Sequence, residues 1–456
     1  MTLTRLQFTT SPRSSPGRRG SGSVRVACDS LVALGNATAD GSVLFAKNSD
    51  RPATECQRLI QVPQRRHIAG SPLRCQYIEI PQVAETAAMI GSQPFWLWGF
   101  EHGLNAHGVA IGNHTVFTKD PLEGIGLIGM DLVRLGLERA RTAAAAVDII
   151  TALIERHGQG GSGYFDKDWG YHNSFLIADR CEAFLLETSD RHWAARRIQD
   201  VGSASNRLTI RQDWDALSPG LVEHATEAGW WTADSEECFD FAAAYRDTSV
   251  APEVISSGRH RRTCELLAQA SGNVTPATLR AALRDHYDGL PCRPGRTIDD
   301  ERYFAVCMHA DPVGTTTASM IARLPAGDDD LLRYWGCLGS PCVGVFLPYY
   351  LDGELPASLA RGGEHPSDDS PWWRFKHLLS LVERDWERYG PKVRAAWDEF
   401  EQSVCERAVR VEADALEFRK RGDHTGAAAL LTSFMQANVA QALTRLDALI
   451  ADLNRP

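Results

Sequence analysis

The sequence predicts a layered α+β protein built on antiparallel sheets. Three observations carry that expectation. Short apolar runs of strand character are joined by turn-forming residues rather than by regular helical crossovers. Residues 127–157 have a helical period. From Trp372 onward the chain is charged and helical to its end.

Taken in order, residues 30–34 are apolar-rich, 36–41 are turn-forming and 43–46 are apolar again. That pattern predicts a hairpin with Asp40-Gly41 at its turn. Folding about residues 39–41 returns Lys47, Asn48, Asp50 and Arg51 to the neighbourhood of Cys28. Short strands follow, the last over 109–117. Within 127–157, Thr142 is the expected N-cap between two helices. Residues 174–178, 183–186 and 193–198 predict a three-strand meander. Thr275-Pro276 opens a helix with cap and first-turn proline in their usual order. Residues 304–308, 315–323, 331–335 and 342–346 predict further strands. The helical tail is expected to break at Pro391 and Gly422. No internal repeat is evident in 28–456.

Composition narrows the function. The 456-residue chain has a formal net charge of -10 and no basic patch interleaved with aromatics. Nucleic acid and anionic membrane surfaces are therefore poor partners. No run approaches the roughly 20 apolar residues that span a bilayer. The 11 cysteines are odd in number and contain no CxxC pair, so reduced thiols in a cytoplasmic protein are expected. No cofactor and no metal site are expected. Cys337 and Cys342 have four residues between them, and His102, His107 and His114 match no ligand spacing. A homo-oligomer is left open.

Residues 1–27 stand apart. They contain no acidic residue, and carry Arg5, Arg13, Arg18, Arg19 and Arg25 among Ser, Gly and Pro. Such a segment cannot bury a core and is expected to be disordered. It lacks the apolar region of a secretory signal. Two readings stay open: a pro-peptide removed to free Cys28, or a product that starts later, at Val24 or Val26.

A cysteine with a free α-amine carries nucleophile and base in one residue. The thiolate attacks, and an amine of pKa about 7.7–8.0 is partly able to take a proton at neutral pH. Cys28 follows the acid-free leader and precedes a hairpin that ends in Lys47-Asn48-Ser49-Asp50-Arg51. Singly, each of these has a plainer reading: a small buried hydrophobe for Cys28, solvated turn charges for Lys47, Asp50 and Arg51. Together they predict an N-terminal nucleophile. In the uncleaved chain the Cys28 nitrogen is an amide and cannot act as the base.

At these residues the chain resembles the secernins and related bacterial cysteine dipeptidases, within the N-terminal-nucleophile hydrolases. The likeness runs through Cys28-Asp29-Ser30 and Phe45-Ala46-Lys47-Asn48-Ser49-Asp50-Arg51-Pro52. It continues through Gly103-Leu104-Asn105, Val109-Ala110-Ile111-Gly112-Asn113 and Leu127-Ile128-Gly129-Met130-Asp131-Leu132. Further on it includes Tyr171-His172-Asn173-Ser174-Phe175, Ser205-Asn206, Gly258-Arg259 with Arg262, and Trp372-Trp373-Arg374.

The resemblance implies a four-layer αββα sandwich over residues 28–370, with a helical extension over 371–456. It implies a dipeptidase that breaks amide bonds of short peptides through an acyl-thioester on Cys28. By similarity to the wider cysteine amidases, Asp50 orients the amine and Asn113 is an oxyanion donor. Asn206 is a second polar group at the nucleophile. Arg262 is the active-site arginine, with Arg259 and Arg261 in competition. Lys47, Arg51 and His114 are the candidate substrate-binding residues. Ala106 and His114 stand where carboxylates are expected. Other readings are hydrolysis or acyl transfer on a non-peptide amide, and a non-enzymatic secernin-like partner-binding protein. Tyr171-His172-Asn173 is read first as a satisfied polar cluster, and Trp372-Trp373 as core.

Overall fold

The computed structural model describes residues 27–122, 124–232, 238–249, 254–287, 294–295, 297, 300–327 and 330–455. Residues 1–26 and Cys292 lie outside them. The first strand, Ala27–Ala33, pairs antiparallel with the second, Val43–Arg51, with Cys28 opposite Ser49 and Ala27 opposite Asp50. The connection is longer than a two-residue turn. It holds a 3-10 turn at Gly35–Ala37, and Gly41 has φ +75°, where a side chain would be strained. The second strand runs five residues past the apolar run, so Lys47–Arg51 lie on the strand and not in a turn.

Alternation along these strands sorts residues to two faces. Val32 and Phe45 point inward to a core shared with Leu59, Ile90 and Leu176 of the other sheet. Leu31, Ala33, Leu44 and Ala46 point outward, onto Leu267, Leu279 and Leu283 of the helices Val254–Ala270 and Pro276–Leu283. The first sheet runs Val201–Ala204, Ala27–Ala33, Val43–Arg51, Gly314–Leu324, Arg333–Leu338, Leu347–Tyr349, with His309–Ala310 beside Gly314–Leu324. Among the described residues the second has eight strands, with Ala110–Val116 and His172–Ala178 near its centre. Its outer face carries Ile111, Phe175 and Ile177 against Leu132, Leu135, Val147 and Ile150 of the helices Gly129–Arg139 and Ala143–His157. Helices, sheet, sheet, helices: the αββα order expected of the chain is present.

Several local readings hold. Thr142 accepts the Ala145 N–H at the start of its helix, and Thr275 forms a reciprocal cap with Thr278 ahead of Pro276. Trp372 and Trp373 are buried and meet edge to face. Gly422, at φ +79°, separates the helices Trp386–Lys420 and His424–Leu453. Among the described residues no helix is long and apolar enough to cross a membrane.

Three readings are corrected. Residues 342–346 form turns and not a strand, because side chains take backbone groups there. Arg394 donates to the Gly344 oxygen at 2.9 Å, and Glu401 accepts the Phe346 N–H at 2.8 Å. Residues 304–308 follow a 3-10 turn at Glu301–Phe304, and their amides bond irregularly, Cys307 N–H to the Asp285 carbonyl and Met308 N–H to Thr316 Oγ1. Pro391 lies inside Trp386–Lys420. In the second turn it removes a single backbone bond, to the Glu387 carbonyl, and buried Val393 and Trp397 hold the helix in place.

Candidate active site

Strand parity puts Cys28 and Lys47 on the inner face of the first sheet. Cys28 is 6% exposed and Lys47 fully buried. Lys47 Nζ is 3.8 Å from Cys28 Sγ and 3.4 Å from Glu101 Oε2. The other Glu101 oxygen is 3.5 Å from Arg51 Nη1. Arg51 also bonds Glu55 at 2.7 Å and the Gly163 carbonyl at 2.5 Å, and lies over the Tyr164 ring. A buried chain of alternating charge thus runs from the thiol to Glu55, which keeps each ion compensated. Lys47 fits because residue 112 is glycine: a Cβ there would fall 2.4 Å from Lys47 Cδ.

The backbone end of Cys28 is held separately. Its N–H donates to Asn206 Oδ1 at 2.7 Å, and Asn206 Nδ2 donates to the Thr115 carbonyl at 3.0 Å. Arg259 donates to the same Asn206 oxygen at 2.9 Å, to Asp29 Oδ2 at 2.5 Å and to the Cys28 carbonyl at 3.3 Å. Asp50 accepts from Thr316 Oγ1 at 2.5 Å. Its other oxygen is buried and has no hydrogen-bond partner among the described residues.

The electrostatics follow from burial. Desolvation pushes the Cys28 thiol up to about 12; Lys47 and the Asp50 backbone N–H pull it down, Glu101 and the Asp50 carboxylate push it up. Desolvation likewise lifts Asp50 to about 7, against Arg259 and with the help of Asp29. Burial, reinforced by Lys47, holds His114 well below the ordinary histidine range. The neutral ring bridges the sheets between Ser30 Oγ at 2.7 Å and Ser174 Oγ at 3.4 Å.

Sequence reasoning assembles Cys28, Lys47, Asp50, Arg51 and Asn206 at one place, and the geometry brings these together. It does not bring Arg262 there. Arg262 forms a two-bond fork with Asp285, at 2.9 and 2.7 Å, and Arg259, one helical turn earlier, reaches Cys28 instead. Asn113 has no described contact with Cys28. Its amide nitrogen is 3.2 Å from Asn173 Oδ1 and 3.5 Å from Met130 Sδ, and a Cβ on Gly129 would fall 2.5 Å from it. That is the helix-facing side of its strand, opposite Gly112 and His114. His114 and Arg51 are both locked in buried partners. Glu101, Glu55, Asp29 and Arg259 complete the site and were not assigned roles from sequence, apart from Arg259 as a competitor. The four-residue spacing of Arg51 and Glu55 is the one sequence signal that could have suggested a pair.

Residues 27–399 match the model of peptidase family C69. The chain is similar to a probable dipeptidase of Salmonella dublin, 23% identical over 367 residues, covering 71% of this chain and 81% of the relative. It is similar to probable dipeptidase A of Streptococcus pyogenes serotype M3 (strain SSI-1), 26% identical over 198 residues and 40% of each chain. Among solved structures it is similar to penicillin V acylase from Agrobacterium tumefaciens, at 12% identity and TM-score 0.40, over 74% of this chain and 89% of that one. An ortholog of N-acylethanolamine-hydrolyzing acid amidase from Caenorhabditis elegans aligns at 10% identity and TM-score 0.32, over 66% of this chain and 94% of that one.

Proposed function

From the premise that this chain belongs to peptidase family C69, we propose that it is a dipeptidase whose nucleophile is Cys28, active once the bond between Ala27 and Cys28 is cut. The observation that carries this reading is the surroundings of the Cys28 nitrogen. It bonds Asn206 Oδ1, and Ala27 stands opposite Asp50 in the strand ladder. Cutting the 27–28 bond exposes an amine beside a buried carboxylate with one oxygen unpaired among the described residues. Asn206 and Asp50 then orient that amine, and Arg259 positions Asn206 and Asp29.

The chemistry follows. The amine takes the thiol proton, and the Cys28 sulfur attacks the peptide carbonyl carbon. A carbon–sulfur bond forms as the carbon–nitrogen bond breaks, and the leaving amine takes the proton back. Water then attacks the thioester, releasing the carboxylic acid and restoring the thiol. Lys47, 3.8 Å from Sγ, favours the thiolate. The relatives named as probable dipeptidases support short peptides as the substrate class.

The test uses intact mass, N-terminal sequencing and a dipeptide panel. The active form should begin at Cys28, and a folded Cys28→Ala protein should hydrolyse none of the panel. An active protein that retains residues before Cys28, or a Cys28→Ala protein with undiminished turnover, overturns the reading.

A further inference from the structure

A second cluster lies on the far side of Asp50, apart from the thiol chemistry. His286 follows the helix Pro276–Leu283. Cys307 and His309 lie just before the strand Gly314–Leu324, and Cys342 is in the turn after Arg333–Leu338. One potential ligand atom from each of the four lies within 4.8 Å of all the others. We propose that these residues form a closed zinc site, Cys2His2, that fixes the wall of the active site behind Asp50.

The donor set selects the metal. Two thiolates and two imidazoles suit zinc and do not suit magnesium or calcium, which take oxygen ligands. Zinc–sulfur and zinc–nitrogen bonds of about 2.3 and 2.0–2.1 Å in a tetrahedron put sulfur about 3.6 Å from nitrogen. His309 Nε2 lies 3.5 Å from Cys307 Sγ and 3.3 Å from Cys342 Sγ, near that edge length without any ion imposed.

The surroundings are those of a metal site. His309 turns its second nitrogen, Nδ1, to Glu383 at 3.5 Å. A carboxylate there orients a ligating imidazole and makes it a better donor. Trp386 meets both imidazole rings edge-on, with centroids 5.6 Å from His286 and 5.7 Å from His309. Cys307, Cys342 and His286 are buried, so the site is shielded from water. Four protein ligands leave no open position, which points to a structural and not a catalytic ion.

The position gives the ion its purpose. Met308, between two ligands, donates its N–H to Thr316 Oγ1 at 2.9 Å, and Thr316 donates in turn to Asp50 Oδ1 at 2.5 Å. The segment 304–308 has no strand ladder to hold it. A metal crosslink to the turn at Cys342 and to the loop at His286 supplies what the missing ladder does not. The ligands are spread over residues 286–342 with only Cys307-x-His309 adjacent, a spacing that no finger-like motif describes.

The test is metal analysis of the full-length protein, purified without chelator or affinity histidines. About one zinc per chain is expected. Cobalt exchanged into the stripped protein should give the visible bands of a tetrahedral thiolate site. Cys342→Ser and His286→Ala should each lose most of the zinc, and Cys181→Ser, an exposed cysteine, should keep it. If those two variants do not fold, zinc titration of the stripped wild type decides: uptake of one equivalent with a higher Tm supports the site. Wild-type protein with little zinc that also takes up neither zinc nor cobalt overturns the proposal. So does a Cys307–Cys342 disulfide in the protein as purified, or zinc retained by both ligand variants.

Discussion

Replacing Lys47 by methionine tests the origin of the thiol's reactivity directly. Methionine nearly keeps the length and volume and removes the charge. Unit charges 3.8 Å apart attract by about 4 kcal/mol at an effective dielectric of ~20, or about 3 pKa units. Glu101, 3.4 Å from the same ammonium, stays and goes on pushing the thiol up; relaxation of the surrounding dipoles offsets part of the lost attraction, so a net rise of about 1–3 units is expected. Glu101 keeps Arg51 as a partner at 3.5 Å, which limits the damage to the fold. The assay is the rate of iodoacetamide alkylation of the matured protein as a function of pH, with circular dichroism as a control. Lys47→Met should move the midpoint upward, and at about pH 7 should slow alkylation by about 10–10³-fold. Turnover should fall with it. A folded variant whose midpoint stays in place, or falls, refutes Lys47 as the counter-charge of the thiolate.

Further outcomes are expected. In the uncleaved chain Asp50 is lifted to about 7 from an ordinary 3.8, so between those values the folded state holds a proton that the unfolded state has lost. Stability therefore falls as pH rises through that window, and Asp50→Asn should flatten the fall, read by urea unfolding at several pH values. In matured protein the same substitution should cut turnover by about 10²–10⁴-fold; full activity would remove Asp50 from its role. Gly112→Ala brings a methyl 2.4 Å from Lys47 Cδ and should lower stability by about 1–3 kcal/mol, with slower alkylation of Cys28 as the sign that Lys47 has moved. Arg259→Lys should abolish most turnover, because an ammonium cannot span Asp29, Asn206 and the Cys28 carbonyl together. Arg262→Lys should stay within about twofold of wild type; the reverse ranking would restore Arg262 to the site.

What could be read from the sequence is what local structure fixes. The hairpin that returns Lys47, Asp50 and Arg51 to Cys28 depends only on one turn and two short strands, and its partners are within 25 residues. Helix caps at Thr142 and Thr275 are equally local. Arg259 and Arg262 are one helical turn apart, so periodicity puts both near one face and cannot choose between them. The choice is made by the first strand, whose Asp29 meets Arg259. Glu101 was invisible because it meets Lys47 only when the two sheets close on each other. Residues 342–346 have strand composition, yet the guanidinium group of Arg394, distant in sequence, claims the carbonyls of Cys342 and Gly344. Asn113 was placed on a strand correctly, but its face depends on parity within a strand whose ends a single sequence fixes only loosely.

On the proposed mechanism, the balance of buried charge gives a physical reason for cleavage before Cys28 to be needed. Around Cys28 four carboxylates are buried, those of Asp29, Asp50, Glu55 and Glu101, with three cations, Lys47, Arg51 and Arg259. Fully ionised, the described cluster carries one negative charge in excess. A buried excess charge is costly, and it is relieved by protonating the least compensated acid. Asp50 is that acid: one oxygen has no partner among the described residues, and burial pushes its pKa up to about 7. Burial holds the thiol up near 12, and Glu101 and the Asp50 carboxylate add to that rise while Lys47 opposes it. Cutting the bond before Cys28 adds an α-ammonium, a cation attached to the nucleophile's own residue. On the proposed mechanism that charge would balance the cluster, and so draw Asp50 and the thiol down from their raised positions. Cleavage would then do more than uncover a base, because it would also make the thiolate accessible near neutral pH. An ordinary alkylating reagent should distinguish the two forms: at about pH 7 the matured protein should react at Cys28 at least about tenfold faster than a chain in which Ala27 is still attached. Equal rates in two folded proteins would show that the amine does not set the state of the thiol.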